Sequence, residues 1–447
     1  MAGRNDKGRP AVLSSKLAYA FAYALLLGAA RAAAQVPAHP TVAESVGVNI
    51  HFTDARPGEM EMLAGTGMRW IRMDLIWPDV ERQRGQYDFS AYDRLMGSLR
   101  AHQIRALWIL DGTNPLYDQG KFPYTEEGRD AFTSFAVAAV RHFRGMGVLW
   151  EMWNEPDDYS RENPKVEVYA KLALAVGKAI RKAAPKETYI GPATSLIDMP
   201  FLEGCFKAGL LQYWSAVTVH PYRFKDPESV LPDYEQLRAL IARYAPRGRD
   251  IPILSGEWGW ASVYNAKTVS FLTGGMNLEV QAQLLARQWL TNFASSVPLS
   301  IWYDWHDDGP DPKDPEAHCG IVLFPYHQGE TPVYTPKPAY RAVRTITEVL
   351  GDHRFDKYLT GQPGDYVLAF RRGRSVRFAA WTTLSSAHTV NIPVNGASCS
   401  AIGFQGENMG TLSTAQRAAS IVLSNAPQYL VCDKGQSAAV SQARISN

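Results

Sequence analysis

Two glutamates stand out by position. The apolar run Val148-Leu149-Trp150-Glu151-Met152-Trp153 reads as a buried strand and breaks at Asn154-Glu155-Pro156. Proline fixes φ and lacks an N–H, so it stops a strand ladder at that point. Ile251-Pro252-Ile253-Leu254-Ser255-Gly256-Glu257-Trp258-Gly259-Trp260 repeats the design, an apolar run closed by a carboxylate with aromatics and glycine behind it. A lone Asn-Glu-Pro is most simply a loop acid before a turn proline. A second strand-end glutamate suggests a paired-carboxylate site, in which one acid delivers a proton and the other attacks or activates water.

Other strand ends carry polar or aromatic groups too. They are Asn49 and His51; Arg72, Asp74 and Trp77; Asp111 with Asn114; His220 and Tyr222; Trp258 and Trp260; and Trp302, Asp304, Trp305 and His306. Each alone has an ordinary structural reading, as an ion pair, a satisfied histidine or a core tryptophan. Their concentration at one end of the strands points to a site. His51, His220 and His306 lie on separate strands and could converge. With no H-E-x-x-H and no compact facial triad, however, no metal and no cofactor is expected. G-x-S-x-G is absent, which argues against a serine nucleophile. Two carboxylates flanked by tryptophans suit cleavage of a glycosidic bond.

The elements that must position these groups alternate. Apolar strands are predicted at Val46–Phe52, Trp70–Trp77, Ile104–Asp111, Val148–Asn154, Thr188–Ala193, Ser215–Pro221, Ile251–Gly256 and Ser300–Trp305. Helical spacing fits Ala91–Gln103, Thr125–Phe143, Val166–Ala183, Tyr234–Tyr244 and Leu278–Phe293, with Ser90 and Asn277 as N-caps. Strand–helix alternation over residues 35–350 predicts an α/β fold, a (β/α)8 TIM barrel with its chemistry at the carboxyl ends of the strands. An open doubly wound sheet is the alternative, but no Gly-rich fingerprint follows the first strand. From Gly351 to Lys434 the pattern becomes short strands, including a hairpin turning at Gly373, and predicts a small C-terminal β-sandwich. Residues 435–447 form a polar tail.

The chain of 447 residues is 46% hydrophobic and 20% charged, enough to bury a large core. Its net charge of +2, with the signs interspersed, makes no case for nucleic acid or an anionic membrane surface. The first 34 residues join a basic flank to the apolar run Leu17–Ala30 and a small-residue stretch, Ala32 to Ala34. They predict a signal peptide cleaved near Ala34, with an uncleaved anchor as the competing reading, and hence an exported protein, periplasmic or secreted. Export permits disulfides. Cys399 and Cys432 could bridge within the tail region, while the pairing of Cys205, Cys319, Cys399 and Cys432 stays open.

Several blocks together resemble a known group: Gly47–Phe52, Trp70–Asp74, Tyr87–Asp93, Trp150–Pro156 and Ser255–Gly259. They resemble the clan A retaining glycoside hydrolases, and within the clan glycoside hydrolase family 39, including its hydrolases of biofilm exopolysaccharide. That resemblance implies Glu155 as acid/base and Glu257 as nucleophile. It implies Asn154 on the sugar 2-hydroxyl, Arg72 beside the nucleophile, His220 and Tyr222 as the polar pair of strand six, and Trp302 or Trp305 as a stacking floor. His51, Asp111 and Trp258 complete the expected substrate contacts. The expected partner is a polysaccharide, with possible association with exopolysaccharide synthesis or export machinery or the inner membrane, and the chain is expected to be monomeric. Exo action of a β-xylosidase kind, and a non-catalytic polysaccharide-binding protein of an export system, are the alternatives.

Overall fold

On a parallel strand buried on both faces, alternate side chains point into the barrel and out toward the helices, so the parity of each residue decides its task. The computed structural model describes residues 36, 38–158, 164–263, 277–359, 361–394, 398–415 and 417–432. The expected leader and the polar tail lie outside the described residues. Eight parallel strands close in chain order: β1 (Val46–Asn49), β2 (Trp70–Ile76), β3 (Arg105–Asp111), β4 (Leu149–Met152), β5 (Thr188–Thr194), β6 (Val217–Val219), β7 (Ile253–Trp258) and β8 (Ser300–Trp302). All eight lie where the apolar runs predict. β1, β4, β6 and β8 stop two or three residues earlier, because the residues beyond leave the ladder and carry site groups.

Trp70, Leu107, Ile109, Leu149, Ile190, Ala216, Leu254, Leu299 and Ile301 form one buried cluster that fills the barrel interior. Two residues further along β2 and β4 the same parity presents Arg72 and Glu151, and on β6 it leads from Ala216 through Thr218 to His220 and Tyr222. β7 departs from the rule. Its register against β8 runs Ser255 to Ser300 and then Trp258 to Trp302, so β7 holds one extra residue. A bulge of this kind turns the chain by one position, and Glu257 faces inward although Leu254 does so too. On β1 the backbone of β2 passes so close that a Cβ at Gly47 would lie 2.5 Å from the Trp70 carbonyl oxygen, so only glycine fits.

Helices Ser90–Ala101, Glu126–His142, Val166–Ala183, Leu231–Tyr244 and Leu278–Ala294 match the apolar periodicity. Thr125 and Asn277 cap two of them, accepting from Gly128 N and Val280 N. Ser90 is instead the first helical residue, its N–H bound by the Asp88 carboxylate. Met199–Lys207, Pro338–Leu350 and the strand pair β9 (Val322–Tyr326) and β10 (Tyr334–Pro336) were not predicted. Among the described residues no helix is long and apolar enough to cross a membrane.

The remaining strands are β11 (Arg354–Leu359), β12 (Asp365–Arg372), β13 (Ser375–Thr382), β14 (His388–Pro393), β15 (Ser398–Gly403), β16 (Asn408–Ala415), β17 (Ala418–Leu423) and β18 (Gln428–Cys432). They form a single antiparallel sheet in the order β11-β12-β13-β18-β15-β16-β17-β14. The two layers of the expected sandwich are thus made by one sheet that curls until Val390, Ile392, Ala419 and Ile421 share a core with Val367, Ala369, Phe378, Ala380 and Leu430. The alternate residues Leu368, Phe370, Ala379, Trp381 and Tyr429 join the core of the barrel instead. Trp381 Nε1 donates to Glu228 Oε1 at 2.6 Å, and Arg287 Nε donates to the same oxygen at 2.8 Å, which fixes this domain to the barrel. Cys399 and Cys432, directly opposite on β15 and β18, are disulfide-bonded; Cys205 and Cys319 are buried and free.

Candidate active site

Arg72, buried and inward on β2, organises the mouth of the barrel. Its Nε donates to Glu151 Oε2 at 2.7 Å, Nη1 to Glu257 Oε2 at 2.7 Å, and Nη2 to Asn154 Oδ1 at 2.7 Å. Burial works against the guanidinium charge, but Glu151 and Glu257 outweigh it and hold the group above its ordinary value, so it stays a cation. Glu257 also accepts from Tyr222 Oη on Oε1 at 2.9 Å and from Asn49 Nδ2 on Oε2 at 3.3 Å. Burial pushes the Tyr222 hydroxyl well above its ordinary value, with the Glu257 charge next, so the phenol keeps the proton it donates.

His220 links the two halves. Its Nε2 lies 3.1 Å from Arg72 Nη2 and its Nδ1 lies 2.9 Å from Glu155 Oε1. A guanidinium only donates, so Nε2 accepts, Nδ1 carries the proton, and His220 donates to Glu155. Glu155 and Glu257 are both buried to within a tenth of full enclosure. One oxygen of each, with one ring nitrogen of His220, lie within 4.8 Å of one another.

The end of β4 is bent to reach this arrangement. Trp153 (φ 66°) and Glu155 (φ 48°) both occupy the left-handed region, as does Ala193 (φ 58°), whose carbonyl accepts from Glu155 N at 2.9 Å. Non-glycine residues hold such angles only where their surroundings fix them. Phe122 and Phe132 do so here, packing against the Trp153 ring at 4.7 and 5.7 Å.

The structure thus brings together Glu155, Glu257, Asn154, Arg72, His220 and Tyr222. Asp111 ends β3 half-buried, with its carboxylate accepting from Gly112 N. His51 lies exposed at the rim, its Nε2 3.6 Å from Asp304 Oδ2. The tryptophans depart from expectation. Trp258, Trp302 and Trp305 are closed to solvent, at 0%, 0% and 1%. Trp302 Nε1 donates to the Cys319 carbonyl and Trp305 Nε1 to Glu59 Oε1, each at 3.0 Å. None presents a face for stacking. Ile301 points into the barrel, so Trp302 points out, and the inward residue beyond β8 is Tyr303. Half-buried, its ring meets His51 edge-on at 5.6 Å.

Two groups were not picked out from sequence. Tyr303 lies hidden between tryptophans. Glu151 is the only charge in a fully buried strand, and such a charge must have a partner; that signal was available. The convergence left open for His51, His220 and His306 does not occur. His220 joins the glutamates, His51 joins Asp304, and His306 stacks on Tyr334 at 5.7 Å. Asn114 and Trp77 both bind Glu81, away from the glutamate pair.

No family model and no curated protein sequence matches this chain. Solved structures do. A family 39 glycoside hydrolase from the gut symbiont Bacteroides cellulosilyticus WH2 superposes with a TM-score of 0.75 at 23% identity, over 89% of this chain and 81% of that one. A family 39 β-xylosidase from Caulobacter crescentus gives 0.63 at 17% identity, over 89% and 97%. A family 30 endoxylanase from Clostridium papyrosolvens C71 gives 0.63 at 11% identity, over 90% and 99%. The chain therefore has the fold of the family 39 and family 30 glycoside hydrolases, C-terminal β domain included.

Proposed function

We propose that the protein is a retaining glycoside hydrolase in which Glu257 is the nucleophile and Glu155 the acid/base. The observation that carries this reading is the approach of one oxygen from each glutamate to within 4.8 Å. Retaining enzymes keep their carboxyl groups about 5–5.5 Å apart, whereas inversion needs roughly 6.5 Å or more to admit a water. Glu257 is held by three donors, Arg72, Tyr222 and Asn49, and attacks the anomeric carbon. Glu155 donates its proton to the leaving oxygen. It then takes one from the water that hydrolyses the glycosyl-enzyme. Asn154 gives its amide oxygen to Arg72, which aims its NH2 at the sugar 2-hydroxyl, a contact that strengthens in the oxocarbenium-like transition state.

As substrate we infer a bacterial exopolysaccharide cut internally, as by the biofilm exopolysaccharide hydrolase PslG, which the blocks around Trp70–Asp74 and Trp150–Pro156 resemble. An exported, monomeric enzyme working beside exopolysaccharide synthesis or export machinery fits that reading and the apolar leader. Exo action on xylosides is the second reading, favoured by the family 39 neighbour described as a β-xylosidase. The deciding experiment incubates the mature protein with a panel of bacterial exopolysaccharides and with aryl β-xyloside, and identifies the products. Internal oligosaccharides support the first reading, free xylose the second. No cleavage of any glycoside leaves a binding protein.

A further inference from the structure

We propose that His51, Asp304 and Asp308 form a site for one divalent cation of the Mn2+ or Zn2+ class, at the β1–β8 side of the barrel mouth. One donor atom from each lies within 4.8 Å of the others. β1 and β8 are neighbours in the barrel, and His51 and Asp304 each follow by two residues the end of one of them. The His51 Nε2 to Asp304 Oδ2 separation of 3.6 Å is too long for a good hydrogen bond. It suits two ligands sharing an ion at about 2.0–2.2 Å each.

Asp304 supplies the independent observation. It is 1% exposed, and neither carboxylate oxygen has a hydrogen-bond partner among the described residues. A buried acid left in that state is strongly disfavoured unless a proton or a cation compensates it. Burial, with the charges of Asp308 and Asp307, pushes its carboxyl well above the ordinary range. Lys337, the lysine nearby among the described residues, is already bound to Asp307 and Ser262. Glu257 adds further negative charge. His306, 4.0 Å from Asp308, has its Nδ1 bonded to the Asp307 carbonyl oxygen. One neutral imidazole and two carboxylates make a mixed donor set whose charge a dication balances. His51 and Asp308 are exposed, which leaves remaining coordination positions open to water or to a pair of sugar hydroxyls. The other cluster, Glu155, His220 and Glu257, already has the Arg72 cation and the Tyr222 hydroxyl on it. This inference stands on the rim geometry and does not rest on the hydrolase reading.

The test uses the full mature chain, stripped with a chelator and titrated with MnCl2 and with ZnCl2 by calorimetry, with bound metal counted by elemental analysis. One equivalent is expected for the wild type, with a rise in Tm on loading. Asp304→Asn and His51→Ala should each lose at least tenfold in affinity and lose the Tm rise, with unchanged circular dichroism. If Asp304→Asn does not fold, Asp308→Asn and His51→Ala carry the test. No saturable binding to the wild type would mean that Asp304 is simply protonated and would overturn the proposal. Retention of the equivalent in both His51→Ala and Asp308→Asn, or its loss in Glu257→Gln alone, would overturn it too.

Discussion

Glu151 and Glu257 hang on the same guanidinium, each 2.7 Å from a different nitrogen of Arg72. Glu151 touches no space where a substrate would sit, and its Oε1 has no hydrogen-bond partner among the described residues. It acts by fixing the plane of Arg72, and through it the direction of Glu257 and Asn154. Glu151→Gln keeps an acceptor for Nε, so it should fold and lower kcat more than it raises KM. Glu151→Ala leaves the buried Arg72 cation with only one of its two carboxylates, Glu257, and should cost about 3 kcal/mol of stability. Denaturant unfolding and steady-state kinetics on the pair check this. A Glu151→Gln variant altered only in KM would remove the positioning role.

The two glutamates should separate kinetically. Glu257→Gln should lose at least about a thousandfold in kcat while still binding oligosaccharide, because no covalent intermediate forms. Glu155→Gln should lose roughly 10²–10⁴-fold on sugars with poor leaving groups. It should lose far less on a dinitrophenyl glycoside, whose leaving group needs no proton. An equal loss on both substrates would contradict the assignment of Glu155 as acid.

Asp157 predicts a pH dependence of stability. Ser195 donates to it through its backbone N–H at 2.8 Å and its hydroxyl at 3.0 Å. Burial, the larger influence, nevertheless pushes its carboxyl up to about 6, against an ordinary 3.8. The folded chain therefore keeps this proton where the unfolded chain has lost it. The contribution is full below about pH 4, falls as pH rises toward 6, and amounts to at most about 3 kcal/mol. Tm followed from pH 4 to 7 should fall for the wild type relative to Asp157→Asn. Parallel curves would show that Asp157 does not titrate in this window.

Trp381 predicts how firmly the two domains are joined. Trp381→Phe keeps the stacking on Tyr366, now at 4.9 Å between ring centroids, but removes the donor to the buried Glu228. The loss should be about 1–3 kcal/mol, that of a buried acceptor deprived of one partner. Calorimetry should show a lower Tm, with kinetics unchanged because no site residue moves. An unaltered Tm would mean that Arg287 alone satisfies Glu228.

The barrel was legible because eight apolar runs, each bounded by turn chemistry, leave few alternatives. Glu155 and Glu257 were legible because each ends such a run. The aromatic floor was misread for one physical reason. Sequence shows that Trp302 ends a buried strand, but the face it takes depends on the register of β8 against β1 and β7. The small C-terminal β domain was legible, but its pairing into one continuous sheet was not, because β11 and β16 carry too few consecutive apolar residues to announce themselves. Their absence hid the continuous pairing. Glu151 was overlooked because a charge between Trp150 and Met152 resembles noise in an apolar run until Arg72 is found opposite.

The surplus residue in β7 sets which way the Glu257 side chain faces. Pairing without the bulge would put Gly256 opposite Ile301 and Glu257 opposite Trp302, turning the carboxylate out among the helices and an indole into the barrel mouth. Deleting Gly256 would also restore regular pairing, yet it would leave the carboxylate opposite Ile301 and still inward. The strand can therefore lose its bulge by deletion without reversing the carboxylate, but not by slippage.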